Sequence, residues 1–369
     1  MFQGIYLNQF RSYPEATFQF SPQVNIFVGK NGVGKSNLLE ALCLITQGES
    51  FRYCENSNLI RHGCQSAFVR SKFKSSEFLF DVSLEILKSK KNFQINNKRS
   101  NSAELQRRFT SVVFSPESLA AIKEGADQRR QLVDDAVVLF DPKSSEVITE
   151  FRKALKTRNR VLRDYGDQKA SKKDTLAILE SLEPIYLKYS IHLTMARIQA
   201  LKALNSEFNN AMRSISESKD VDISVEYVFS DHNAIDFSAE DITFLLKKRL
   251  FELRDAELSS GSSLVGPQKH DIRILYNQND SRFYCSQGQQ RALILSFKMA
   301  QIVYHRKLHG SFPILMLDDV LSELDSSKRE ALIRFLASIE TQIFLTTTDL
   351  TESVGLNDRE MSVIQVNEV

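Results

Sequence analysis

An α/β protein with an open parallel sheet, interrupted by a mainly helical insertion, is predicted by three stretches of this 369-residue sequence. The first, VNIFVGKNGVGKSNLLEALCLI at 24–45, reads as buried strand, glycine loop and helix. The second, FPILMLDDVLSELD at 312–325, runs a short apolar strand into two adjacent aspartates. The third is the span 119–257, rich in long helix formers and holding only Pro142 and Pro184 as prolines.

In the first stretch, Gly29, Gly34, Lys35 and Ser36 fit the spacing G-x-x-x-x-G-K-[ST] between a strand and a helix. Backbone amides must curl around phosphate oxygens at a helix N-terminus, and glycine permits the close approach and positive φ that this needs. Nucleotide contacts are therefore expected along Gly29, Lys30, Asn31, Gly32, Val33, Gly34, Lys35, Ser36 and Asn37. Lys35 is the expected β- and γ-phosphate contact, and Ser36 the expected Mg²⁺ ligand.

The second stretch delivers Asp318 and Asp319 to the C-terminal end of a strand, where ligands gather in an open parallel sheet. Asp318 is assigned to Mg²⁺ through water, and Asp319 to orienting the attacking water. Lys35 and Asp319 are thus the candidate catalytic residues, with ATP and Mg²⁺ as cofactors.

A further helix, with Leu293, Leu295, Phe297, Ala300 and Ile302 as apolar positions, is predicted to begin just after Ser286, Gln287, Gly288 and Gln289. Its N-terminus offers a hydroxyl, a glycine and free amides to an anion, so Ser286, Gly288 and Gln289 join the nucleotide-binding candidates.

Composition sets the remaining bounds. With 42% apolar and 25% charged residues the chain can form two globular domains. The N-terminus lacks the pattern of a signal peptide, and no apolar run reaches the roughly 18 residues that span a bilayer. A cytoplasmic location is expected. Cys43, Cys54, Cys64 and Cys285 have no CxxC spacing and are assigned to packing. His305 and His309, at i and i+4 without the carboxylate of HExxH, are expected to face solvent near a helix end.

GKNGVGKS, SQGQQR and LDDVLSELD together resemble the SMC-type ATP-binding-cassette ATPases, and among them most closely the RecF family of bacterial DNA replication and repair proteins. LNQFRSY near the start, SFR at 50–52, VVFSPESL at 112–119, GPQKHD at 266–271 and FLTTTD at 344–349 extend the likeness. The resemblance implies an ATP-binding-cassette head with an inserted arm, and ATP sandwiched between the phosphate loop of one subunit and Ser286 and Gly288 of another. It also implies a dimer-facing loop at Asp325, binding to duplex or junction DNA, and action with RecR and RecO in loading recombinase on gapped DNA.

Three departures from wider patterns stand out. Thr346, Thr347 and Thr348 occupy the region where many cassette ATPases place a histidine, which predicts slow hydrolysis. No glutamine follows the VVFSP strand, and Gln268, Lys269 and His270 replace the residues usual in that turn of the RecF family.

The expected division is a core of 1–118 and 258–369, with 119–257 as the inserted, mainly helical arm. Within the arm, 221–229 alternates like a strand, while 173–181 and 214–220 read as loops. The net charge of +2 does not by itself imply a nucleic-acid partner, so local clusters carry that expectation. Arg152, Lys156, Arg160 and Arg163 share one helical face, and Lys88, Lys90, Lys91, Lys98 and Arg99 flank a hairpin around Asn96 and Asn97. Such clusters without a base-reading motif point to backbone-directed, sequence-tolerant DNA binding. A transporter subunit is disfavoured by the length separating the phosphate loop from the signature motif, Ser286–Gln289, and a non-hydrolysing ATP-binding scaffold is the other alternative.

Overall fold

The computed structural model describes residues 1–52, 54–75, 78–216, 220–350, 356 and 359–367. It divides into two compact units. One comprises Met1–Ala120, Glu207–Val221 and Ser286–Val369, and the other Ala121–Ser206 and Asp222–Cys285.

The first unit contains a five-stranded, all-parallel sheet in the order Met361–Gln365, Val24–Val28, Ile343–Thr347, Ile314–Leu317, Ser111–Phe114. Every residue of the last four strands is buried, as expected where both faces of a parallel sheet are covered. A six-stranded antiparallel sheet runs Tyr13–Gln19, Phe2–Phe10, Ser66–Lys74, Leu79–Leu87, Lys91–Ile95, Lys98–Ser100. Its last two strands meet at Asn96 and Asn97, both in the left-handed region (φ 50° and 60°), as a two-residue hairpin turn requires. The helix Lys35–Gln47 packs against both sheets and buries ten of its thirteen residues, which is why its sequence is apolar nearly all round. Gln342 joins the layers through hydrogen bonds with both backbone groups of Phe2 (2.6 and 2.8 Å) and with Ser21 O (2.8 Å).

The second unit pairs Ile223–Phe229 antiparallel with Asp271–Tyr276, beside the helices Ala126–Phe140, Ser144–Gly166 and Ala239–Glu252. Three arginine–carboxylate pairs hold it together: Arg197 on Asp134 (2.7 and 2.9 Å), Arg129 on Asp271 (both 2.9 Å) and Arg158 on Glu257 (3.0 and 2.7 Å). The 266–271 turn lies among them. Pro267 O accepts from Arg197, His270 O accepts from Arg130, and the His270 ring stacks on Phe229 at 4.2 Å while its Nδ1 meets the Tyr227 hydroxyl at 2.9 Å. Gly266 adopts φ +128°, and a β-carbon there would stand 2.3 Å from the Tyr186 hydroxyl. The turn is a packing junction of this unit.

Four expectations are corrected. Residues 173–181 are not a loop, because Lys172–Ser216 is helical with Pro184 inside it. The 214–220 loop expectation also fails at 214–216, which end that helix, while 217–219 lie outside the described residues. The expected arm 119–257 is not one continuous insertion, because Glu207–Val221 belongs to the first unit, and the final return falls at Ser286 rather than 258, since strand pairing and the Arg129–Asp271 pair keep 258–285 in the second unit. His305 does not face solvent: it is 1% exposed, and its Nδ1 donates to Ser311 O at 2.9 Å.

Burial, reinforced by the neighbouring His309, lowers the His305 pKa to about 4. The unfolded chain binds this proton at pH 6.5 and below, whereas the folded chain resists it down to about 4, so stability falls as pH drops through that window. The expected loss is at most roughly 3 kcal/mol. Urea midpoints between pH 7 and 4 should show a shallower pH slope in His305→Gln than in the unsubstituted protein.

Candidate nucleotide site

The phosphate loop leaves the Val24–Val28 strand at Gly29 and enters the Lys35–Gln47 helix after Gly34, which has φ +107°. A β-carbon at Gly34 would meet Ser12 Oγ at 2.8 Å, and one at Gly29 would meet Val366 O at 2.4 Å, so both positions demand glycine. Gly32, at φ +88°, faces open space. Lys35 is 4% exposed, and its ammonium donates to the carbonyls of Gly29 (2.8 Å) and Lys30 (3.1 Å). Among the described residues no carboxylate pairs with it. A buried cation met only by carbonyls beneath a glycine loop fits the phosphates of a nucleotide. Val33 is buried, whereas Lys30 and Asn31 are exposed.

The turn between the first two strands backs this loop. Tyr13 OH donates to Gly34 O (3.0 Å), and Asn37 Nδ2 to Ser12 Oγ (3.0 Å). Arg11 Nε and NH2 donate to both oxygens of Glu40 (2.9 and 2.8 Å). Glu40 is fully buried and also accepts from the Ser50 hydroxyl. Arg52 stands 3.8 Å from Glu40 and 3.9 Å from Asp318, and donates to Asn37 Oδ1 at 3.1 Å. Arg11, Glu40 and Arg52 went unassigned in the sequence. The only signal for the two arginines was their place in LNQFRSY and SFR.

Asp318 lies at the end of the Ile314–Leu317 strand, 4% exposed, and the Ser36 hydroxyl reaches its carboxyl. Burial raises the Asp318 pKa, opposed by hydrogen bonds from Ser36 and Thr346 and by the charge of Arg52. The two expected metal ligands, Ser36 and Asp318, are therefore brought together, and a hydroxyl beside a buried carboxylate is a donor set suited to Mg²⁺. Asp319 takes a left-handed conformation (φ 48°), unusual for a residue other than glycine. Thr346 fixes both aspartates, since its hydroxyl donates to Asp318 Oδ1 (2.9 Å) and accepts from Asp319 N (2.8 Å).

Ser286 caps the helix Gln287–His309 in a reciprocal capping box: its hydroxyl accepts from Gln289 N (3.2 Å), and its own N–H donates to Gln289 Oε1 (2.8 Å). Ser286 is exposed. Arg291, one turn on, donates to Glu323 O (2.7 Å) and ion-pairs with the Glu323 carboxylate (2.7 Å), tying this helix to the loop that ends in Asp325. No described hydrogen bond or ion pair joins the Ser286–Gln289 cap to the phosphate loop.

The basic clusters are only partly available. Arg152, Lys156, Arg160 and Arg163 are all exposed on Ser144–Gly166, whereas Arg158 of the same run is buried on Glu257. Lys156, Arg160, Arg163 and Lys169 line a cleft of about 460 Å³ with Asp164 and Asp167. Lys88, Lys90, Lys98 and Arg99 are exposed. Lys91 is a correction, because it turns inward to cap Gly48 O (3.1 Å), and burial lowers its pKa.

The model of the RecF/RecN/SMC N-terminal domain matches residues 1–368. The chain belongs to this family. It is 32% identical to the DNA replication and repair protein RecF of Heliobacterium modesticaldum, covering 94% of this chain and 92% of that protein. It is also 32% identical to RecF of Halothermothrix orenii, covering 98% and 96%. A solved structure of the recombination mediator protein RecF-ATPrS in the RecFOR pathway superposes with a TM-score of 0.85 at 27% identity, covering 100% of this chain and 98% of that one. An Smc head domain from Pyrococcus furiosus, at 16% identity and TM-score 0.54 over 100% of this chain and 94% of that one, shares the fold. The architecture is thus that of an ATP-binding-cassette ATPase head with a mainly helical insertion. Among the described residues no helix is long and apolar enough to cross a membrane.

Thr346→Val removes one hydrogen bond of the buried Asp318 carboxylate and that of the Asp319 amide together. ATP affinity measured with Mg²⁺ should fall by about tenfold, while affinity measured in EDTA should change little.

Proposed function

We propose that this chain binds Mg²⁺–ATP, dimerises on DNA in response, and hydrolyses ATP slowly to release it, serving recombinational repair and replication restart. The observation that carries the reading is the division of labour among the site residues. Lys35, Ser36 and Asp318 are assembled at one sheet end, while the exposed Ser286 cap shows no bond to them and is free to face a second copy of the chain. ATP supplies the scissile phosphoanhydride, and Mg²⁺ would be held by Ser36 and Asp318. Lys35 binds the β and γ phosphates, Asp319 orients water, and Ser286, Gly288 and Gln289 close the site from the partner. RecR and RecO are the expected partners, as in the pathway named for the RecF structures.

Slow turnover follows from the threonines. Thr346 is committed to the two aspartates and Thr347 to Asp349, its hydroxyl donating to Asp349 O at 2.9 Å. Two of the three threonine hydroxyls are thus engaged by neighbouring residues, which supports the expectation that they do not replace an imidazole at the γ phosphate. Turnover is expected on the order of one per minute or below, against a median near 10 per second for enzymes. Asp319→Asn should retain ATP binding and abolish phosphate release, and normal hydrolysis in this variant would remove Asp319 from the mechanism.

DNA contact is assigned to Arg152, Lys156, Arg160 and Arg163, with Lys88, Lys90, Lys98 and Arg99 as a second patch. Their exposure and the basic cleft support this, since concentrated positive charge attracts phosphate without reading bases. Replacing the first four with Gln should weaken binding equally across sequences and flatten the salt dependence by roughly one unit of slope per lost phosphate contact. An unchanged slope would show that this face is merely solvated.

A further inference from the structure

The region around Gly288 contains a charged residue to which no role has been given. A β-carbon built on Gly288 would stand 3.4 Å from the ammonium of Lys328 and 3.9 Å from Ser286 Oγ. The ammonium, the serine hydroxyl and the glycine therefore converge on one patch, with Lys328 filling the space that the missing side chain leaves. Lys328 belongs to the helix Ser326–Ala337, whose N-cap is Asp325, and it ion-pairs with that same Asp325. The Lys328 side chain is 19% exposed and that of Asp325 is 54% exposed, so this cation is held at the surface by an acid that water can solvate once released.

We infer that Lys328 is a phosphate-binding residue of the signature half-site, contacting the γ phosphate of a nucleotide bound by a second copy of this chain. The inference rests on the shared-site reading above. Lysine serves phosphate as a compact point charge, and a γ phosphate carries more charge than the single carboxylate that holds Lys328 here. Exchange of Asp325 for phosphate would then couple nucleotide arrival to release of Asp325, in the loop that Arg291 ties to the signature helix.

The test is a set of mixing experiments with a non-hydrolysable ATP analogue, read as dimer mass by light scattering. Lys328→Gln alone should need about tenfold more protein to dimerise, and Lys328→Arg should remain close to the unsubstituted chain. Lys35→Ala mixed with Lys328→Gln should recover dimer, because one interface then joins an intact phosphate loop to an intact signature half. Ser286→Arg mixed with Lys328→Gln should not recover, because both lesions damage the same half. Recovery by Lys35→Ala with Ser286→Arg is the control for the shared site. If that control fails, the shared-site reading is wrong and this inference falls with it. If the control recovers, then normal dimerisation of Lys328→Gln, or no recovery with Lys35→Ala, overturns the Lys328 assignment alone. Lys328→Met, which keeps the aliphatic stem, replaces Lys328→Gln if the latter lowers the thermal midpoint.

Discussion

The first unit depends on a carboxylate that has no access to water. Glu40 sits mid-helix behind the phosphate loop, fully buried, and an unpaired charge there would cost several kcal/mol. Its satisfaction requires Arg11 from the first strand turn, Ser50 from beyond the helix, and Arg52 nearby. Two segments separated in sequence, the turn at Arg11 and the stretch 50–52, are thereby fixed around one helix. The same turn supplies Tyr13 to Gly34 and Ser12 to Asn37, so the loop that must curl around phosphates is braced from behind before any ligand arrives.

The parallel sheet accounts for the front of the site. Leu317 pairs with Leu345, which sets Asp318 beside Thr346, and Thr347 pairs with Val28, which sets the last core strand beside the phosphate loop. A threonine suits position 346 for a local reason: one hydroxyl can donate to the Asp318 carboxylate and accept from the Asp319 amide at once. The left-handed backbone of Asp319 is held by that second bond. The hydroxyl of Thr346 is therefore already committed to holding the two acids.

In the second unit, three bidentate arginine pairs surround a short sheet. Arg197, Arg129 and Arg158 each satisfy a carboxylate with two bonds, the geometry in which a buried ion pair best offsets its desolvation. The Gly266–Asp271 turn is pinned among these pairs, Pro267 O accepting from Arg197 and His270 O from Arg130. His270 stacks on Phe229, meets Tyr227 edge-on and is kept neutral, its pKa pushed well below the ordinary value by burial and by the charges of Arg197 and Arg130.

The sequence by itself determined the phosphate loop, the paired aspartates, the signature helix with its serine cap, and the hairpin at Asn96–Asn97. Each is specified by residues close in the chain whose backbone demands leave little choice: glycines at positive φ, an apolar strand ending in acids, a hydroxyl before a helix. Only the tertiary structure decided which polar residues are free to act. Arg158 lies in the sequence among the members of the first basic cluster and Lys91 was assigned to the second, yet one is buried on Glu257 and the other caps Gly48, because their partners lie 99 and 43 residues away. His305 read as solvent-facing beside a helix end until Ser311 O and the surrounding core enclosed it. Glu40 carried no local signature, and Arg11 and Arg52 only their place in LNQFRSY and SFR, since a buried charge is specified by what packs against it, and that is a property of the folded chain.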